Sequence, residues 1–352
     1  MSGGSSSAQM LVIDPRGAPG RRPTHDERDG AVPWILDARG RRGRGHDDGR
    51  RMAAVRSGLL RHRGVSARTA DASPAEVERV LRRLHEPGYL DALERVRGSE
   101  PVLVAELAQP GLAPDTPVCA QAVATAREGV GAAILAARGI VAGARFSYAL
   151  CRPPGHHAGP GWLGGYCYLN NAAAAAQTLH DGGVARVGIL DLDLHYPNGT
   201  AALLERMDST TLHSLHGATG ANLPWARVRA HSEREHLLAF RSPPSAETYL
   251  EAVAASTETL ASTADAIVLS LGYDLVADDP HGSWRFDASI FAQIGRLLAR
   301  AGLPVCVVQE GGYALSSLAS CSHAFAAGLL DGGAQPVGAS PVSTGAFAGS
   351  RA

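Results

Sequence analysis

Lysine is missing from all 352 residues, so the 33 basic side chains are arginines. An all-arginine complement fits GC-rich bacterial coding and leaves the chain no lysine of its own to be acetylated. Excess charge of one sign is missing too. The formal net charge is -1 and the isoelectric point is near 6.9, which gives no electrostatic footprint for nucleic acid or an anionic membrane. The five cysteines (Cys119, Cys151, Cys167, Cys306, Cys321) are odd in number and never in CxxC spacing, a usage that fits a reducing cytosol. No apolar run reaches membrane-spanning length. The opening "MSGGSSSAQM" lacks a basic segment followed by an apolar one, the mark of a signal peptide. These absences lead to the expectation of a cytoplasmic protein with neither a nucleic-acid nor a membrane partner.

Apolar residues, by contrast, are plentiful. At 45% hydrophobic and 19% charged, the chain can bury a large core. Residues 1–8 and 332–352 are small, Gly- and Ser-rich or Pro-containing stretches, expected to be flexible tails around one domain at 9–331. "DARGRRGRGHDDGRR" at 37–51 is read as a solvated surface loop. Between the tails, short apolar runs alternate with helical periodicity. Strands are predicted near 10–14, 146–151, 186–194, 210–215, 266–271 and 304–309. Helices are predicted near 74–84, 87–97, 117–139, 170–180, 246–262 and 287–301, the last with Asp287 as its N-cap. Nearly apolar strands separated by helices predict an α/β domain with a mostly parallel sheet, covered on both faces.

Ligands of such sheets bind beyond the carboxyl ends of the strands. Four predicted strands end in chemistry-bearing residues: "FSYALCRPPGHH" in His156 and His157, "VGILDLDLH" in Asp191, Asp193 and His195, "VLSLGYD" in Asp274, and "VCVVQEGGY" in Tyr313. Along a strand, Asp191, Asp193 and His195 share one face while Leu190, Leu192 and Leu194 share the other. Two such ligands and a carboxylate from a neighbouring strand give three N/O donors with one position open, the arrangement of a catalytic zinc. A buried, hydrogen-bonded polar cluster is the bland alternative. A dehalogenase-type nucleophile on DxD lacks its lysine. Tandem histidines between prolines and glycines suit proton transfer. Gly311 and Gly312 would make an exposed turn that frees the Tyr313 phenol to meet a developing oxyanion.

With these stretches, "HSLHG" and "LNNAA", the sequence resembles the histone deacetylase and acetylpolyamine amidohydrolase family of the arginase–deacetylase fold, closest to its bacterial, class II-like branch. The resemblance runs from about Leu84 to Leu330 and implies an eight-stranded sheet. It implies zinc on Asp193, His195 and Asp274, with His156 and His157 as acid and base and Tyr313 on the oxyanion. Asp191 and Asn198 would orient the two histidines. It also implies a potassium ion on the carbonyls of Asp191, Asp193, His195 and Leu215 with the Ser214 hydroxyl. Tyr166 and Gly165 would line an acyl tunnel facing Leu223 and Trp225. The implied activity is hydrolysis of an N-acetylated amine.

Several positions depart from the family pattern. Tyr196 replaces a histidine, Pro197 a glycine and Leu223 a phenylalanine, and the stretch that builds the dimer in polyamine-specific relatives is shorter. A small N-acetylated metabolite is therefore expected as substrate, with protein acetyl-lysine as the alternative and a homodimer left open. A binuclear manganese ureohydrolase would need carboxylates where Pro197 and Val276 stand. A non-catalytic acyl-ligand binder would not need the histidine pair.

Overall fold

A computed structural model describes residues 8–15, 35–36, 42–43, 49–222, 224 and 232–332. Strands β1 (Met10–Asp14), β4 (Val65–Thr69), β5 (Phe146–Ala149), β6 (Val187–Asp191), β7 (Thr210–Gly217), β8 (Glu235–Phe240), β9 (Ala266–Leu271) and β10 (Val305–Gln309) form one eight-stranded sheet. Its order is β4-β1-β5-β10-β9-β6-β7-β8 and every pairing is parallel. A separate antiparallel pair joins β2 (Ile35–Leu36) to β3 (Arg42–Gly43).

Strand alternation divides the core into two layers. Val305 and Val307 of β10 and Ile267, Leu269 and Leu271 of β9 belong to one apolar cluster. Cys306 and Val308, with Ala266 and Val268, belong to the other. The first layer is closed by α1 (Arg50–Leu59), α7 (Ala246–Thr263), α8 (Ser289–Arg300) and α9 (Leu318–Asp331). The second is closed by α2 (Pro74–Leu84), α3 (Pro87–Glu94), α4 (Ala120–Val141) and α5 (Asn171–Asp181). A short helix, α6 (Asn198–Leu203), follows the DxDxH stretch.

Local chemistry sets the helix starts. Ser73 caps α2 by accepting from the Glu76 N–H, with Pro74 at the first turn. Asn170 caps α5 by accepting from the Ala173 N–H at 2.9 Å. Asp287, the expected cap of α8, lies one residue outside the observed cap position, Ala288; its carboxylate accepts from the Ser289 N–H at 2.8 Å.

Several expectations need correction. The predicted strand at 186–194 stops at Asp191, so Asp193 and His195 lie on a bend beyond the sheet. Their alternation survives, because Leu190, Leu192 and Leu194 are all fully buried in one apolar cluster. Part of the expected Arg-rich loop is helical: Arg50 and Arg51 open α1, and Arg51 is fully buried. The edge strands β4 and β8 and helices α1, α6 and α9 were not foreseen. Residues 1–7 and 333–352, within the expected tails, lie outside the described residues.

Candidate active site

Strands β5, β10, β9 and β6 are consecutive in the sheet, so their four carboxyl ends converge. The Asp193, His195 and Asp274 side chains bring their ligand atoms within 4.8 Å of one another. His195 Nδ1 lies 3.2 Å from Asp193 Oδ1 and 3.2 Å from Asp274 Oδ2. Asp193 also accepts from the His195 and Gly311 N–H groups at 2.9 and 3.0 Å. Asp274 Oδ1 accepts from the Leu194 N–H at 3.2 Å, whereas the buried Oδ2 has His195 Nδ1 beside it but no partner in hydrogen-bond geometry.

These residues fit a metal ion. An orphaned buried carboxylate oxygen calls for a cation. Two glycines leave the room: a Cβ on Gly272 would lie 2.5 Å from Asp193 Oδ2, and one on Gly311 would lie 2.6 Å from the same oxygen. Burial, then the neighbouring Asp193 carboxylate, push Asp274 up to about 7, the response of two anions crowded into one dry site. A dication would relieve that crowding. The N/O donor set with partly exposed His195 matches an open zinc site.

The two histidines, each 3% exposed, stand with ring centroids 4.1 Å apart but in different company. His156 Nδ1 lies 3.3 Å from Asp191 Oδ2. His157 Nδ1 lies 2.6 Å from Asn198 Oδ1, and Asn198 donates from Nδ2 to Gln109 Oε1 at 2.7 Å. The Asn198 amide turns its oxygen to His157 and its nitrogen to Gln109. His157 therefore carries its proton on Nδ1 and leaves Nε2 as an acceptor. Burial disfavours charge on both rings. At His156 the Asp193 and Asp191 carboxylates outweigh it and raise the imidazole to about 10. At His157 burial prevails, helped by His156 and His195, and holds the ring well below 6.5. Two titratable groups driven apart in this way are candidates for an acid and a base.

Tyr313 follows Gly312, whose φ of +110° only glycine adopts readily. A Cβ there would lie 2.5 Å from the Tyr273 Cβ. Gly311 and Gly312 are buried, so the expected exposed turn is instead a packed one. Asp279 pins it by accepting from the Tyr313, Ala314 and His281 N–H groups at 2.5, 3.1 and 2.9 Å. Arg51 clamps its other side, donating to the Gly312 and Glu310 carbonyls at 2.6 Å each, with its guanidinium 4.5 Å above the Tyr313 ring. Tyr166 stands edge-on to Tyr313 at 5.7 Å. It adopts a left-handed φ of 68°, held by its N–H donation to Thr116 Oγ1 at 2.9 Å and by Asp115 accepting from the Gly165 N–H at 3.1 Å. Gly165 must be glycine because a Cβ would lie 2.3 Å from the His157 ring. His281 completes this aromatic wall, with ring centroids 4.8 Å from Tyr313 and 5.7 Å from Tyr166.

Residues 47–329 match the histone deacetylase domain. The chain belongs to the histone deacetylase family. It is 33% identical to acetylpolyamine amidohydrolase 1 of Pseudomonas aeruginosa over 272 residues, 68% of this chain and 79% of that one. It is 38% identical to the acetylpolyamine amidohydrolase of Burkholderia pseudomallei over 206 residues, 56% and 60% of the two chains. Among solved structures, the crystal structure of acetylpolyamine aminohydrolase from Burkholderia pseudomallei superposes with a TM-score of 0.74 at 28% identity, covering 91% of this chain and 98% of the other.

Two of the departures from the family pattern, Tyr196 and Pro197, sit in buried surroundings. Tyr196 donates its hydroxyl to Glu235 and packs 5.2 Å from the His216 ring. Pro197 is buried, and Val276 sits in the apolar core. Among the described residues, the Asp193–His195–Asp274 triad is the one metal-sized group of His, Cys, Asp or Glu. The ureohydrolase alternative thus finds no second set of ligands there. Ser214 is paired in register with Asp191, and its hydroxyl lies 2.9 Å from His216 Nδ1. Leu215 is buried beside it. Leu223 and Trp225 lie outside the described residues. Sequence reasoning missed Arg51, Gln109, Asp115, Thr116, Asp279, His281 and Glu310. Of these, Glu310 and Arg51 had stood inside quoted stretches.

Proposed function

We propose that this protein is a zinc-dependent deacetylase that removes the acetyl group from a small N-acetylated amine. The observation that carries the reading is the tandem histidine pair, each Nδ1 facing its own partner, Asp191 Oδ2 at 3.3 Å and Asn198 Oδ1 at 2.6 Å, beside the three-ligand cluster. Zinc held by Asp193, His195 and Asp274 would supply Lewis acidity, polarising the amide carbonyl and acidifying water. His157 Nε2 takes the proton of the attacking water. Tyr313, its backbone fixed by Asp279 and Arg51, donates its phenol to the carbonyl oxygen as charge develops there. His156 or His157 returns a proton to the leaving amine, which departs with acetate as the other product. Tyr166 gives the acyl chain an aromatic face.

Family membership and the acetylpolyamine amidohydrolase relatives support amide hydrolysis. A net charge of -1 offers little long-range attraction for cationic protein tails, which favours a small substrate. We also assign a potassium ion to the Asp191, Asp193, His195 and Leu215 carbonyls with Ser214, a placement supported by the β6–β7 register. Five free, buried cysteines support a reducing, cytoplasmic setting. No helix among the described residues is long and apolar enough to cross a membrane.

The test is a panel of N-acetylated amines and diamines run against acetyl-lysine peptides, with metal analysis of the same sample. Small acetyl amines should give the higher kcat/KM and the protein should hold one zinc per chain. A wide margin for the peptides would overturn the small-molecule assignment. No turnover of any acetyl amide by metal-loaded protein would overturn the reaction.

A further inference from the structure

We propose that Glu310 is a positioning residue for the tandem histidines, its carboxylate holding the main chain from which both imidazoles project. The proposal rests on reading His156 and His157 as the proton-transfer pair.

Glu310 is fully buried, and it is the first residue beyond β10, the strand between β5 and β9. From there its side chain reaches both neighbours. Oε2 accepts from the Gly155 N–H at 2.6 Å and from the His156 N–H at 3.2 Å. Oε1 accepts from the Ser270 hydroxyl at 3.2 Å, on β9. Three donors on one carboxylate satisfy most of its acceptor capacity, which is what makes its burial tolerable. Its own backbone is fixed by Arg51, which donates to the Glu310 carbonyl at 2.6 Å.

The receiving side is equally constrained. A Cβ on Gly155 would lie 2.5 Å from the Asn171 N, so the turn packs hard against the start of α5. Asn171 Nδ2 donates to the Pro153 carbonyl at 3.1 Å, and the Thr200 N–H donates to the His156 carbonyl at 3.0 Å. The histidine turn is thus held by its carbonyls from α5 and α6, and by its N–H groups from Glu310. Removing the Glu310 contact frees the N–H side of the turn and lets the two rings shift relative to Asp193 and Asp191. What the arrangement needs from residue 310 is reach, because one side chain must span from β10 to the Gly155 and His156 N–H groups on one side and to Ser270 on the other.

Two substitutions separate reach from charge. Glu310→Gln keeps an oxygen at the same distance, and its amide can donate to the Ser270 hydroxyl. Glu310→Asp keeps the carboxylate but withdraws it by one methylene. With KM unchanged, kcat should fall on the order of 10²-fold in Glu310→Asp, the usual consequence of a displacement near 1 Å, and stay within about threefold in Glu310→Gln. Hydrogen exchange of the Gly155 and His156 amides should quicken in Glu310→Asp alone, with β6 and α4 unaffected. That exchange pattern tests the positioning even if the protein hydrolyses no acetyl amide, the result that would sink the functional reading instead. The reverse ranking, Gln impaired and Asp intact, would overturn the proposal. So would unchanged amide exchange in Glu310→Asp.

Discussion

Replacing Arg51 by leucine should destabilise the protein and disarm Tyr313 together. The guanidinium is fully buried and makes two 2.6 Å hydrogen bonds to the carbonyls of Glu310 and Gly312. Leucine would leave two buried carbonyl oxygens without these donors, at about 1–3 kcal/mol each. The desolvated guanidinium over the Tyr313 ring adds about 2 kcal/mol. Relief from burying an ion offsets part of the loss, so the net destabilisation is roughly 2–5 kcal/mol. For a large domain at about 2–4 °C per kcal/mol, the midpoint should fall by roughly 5–15 °C. The Gly311–Gly312 turn carries the Tyr313 backbone, so kcat should fall roughly tenfold or more at temperatures where the variant is folded. Thermal denaturation followed by circular dichroism, with kcat measured 20 °C below the midpoint, reads both effects. A midpoint within about 2 °C of wild type and an unchanged kcat would show that the clamp is idle.

Asp193→Ala or Asp274→Ala should lose bound metal, because three ligands leave no redundancy; full occupancy by metal analysis in either variant would refute the ligand set. His157→Ala and Tyr313→Phe should retain metal and lose on the order of 10²-fold or more in kcat, and near-wild-type turnover in both would assign those roles elsewhere. Acid should weaken the fold through His85. This ring is fully buried, donates from Nδ1 to the Gly159 carbonyl and accepts from the Asn170 N–H, and burial lowers it from 6.5 to about 4. Because the folded value is the lower one, its stability contribution is complete above pH 6.5 and is lost as pH falls toward 4, by about 3 kcal/mol in all. Denaturant titrations across that window should show a flatter profile in His85→Gln; an identical slope would exclude His85 as the source.

The central strands were legible because β5, β6, β9 and β10 are buried on both faces and read as unbroken apolar runs. The candidate ligands were legible because carboxylates and an imidazole at the end of such a run must find partners if they are buried. The edges were not. β4 reads "VSART" and is mostly exposed, so neither an apolar run nor a clean alternation marks it. Helix α1 hid in an arginine-rich stretch, because composition does not tell a buried, doubly bonded Arg51 from its solvated neighbours. Gln109, Asp115 and Asp279 act through main-chain and amide contacts from distant loops, and no local spacing announces such partners.

The place of β10 also orders events during synthesis. It is the last strand among the described residues, yet it lies between β5 and β9 near the middle of the sheet. Until residues 305–313 leave the ribosome, β5 and β9 each face the gap with an unpaired edge, and the sheet cannot close over its own centre. Up to that point the strands can form at most two half-sheets, one ending in the histidine pair and the other in the candidate metal ligands. Closing the fold and assembling the catalytic centre are then a single late event, so a chain truncated before β10 should yield aggregate rather than a weaker enzyme.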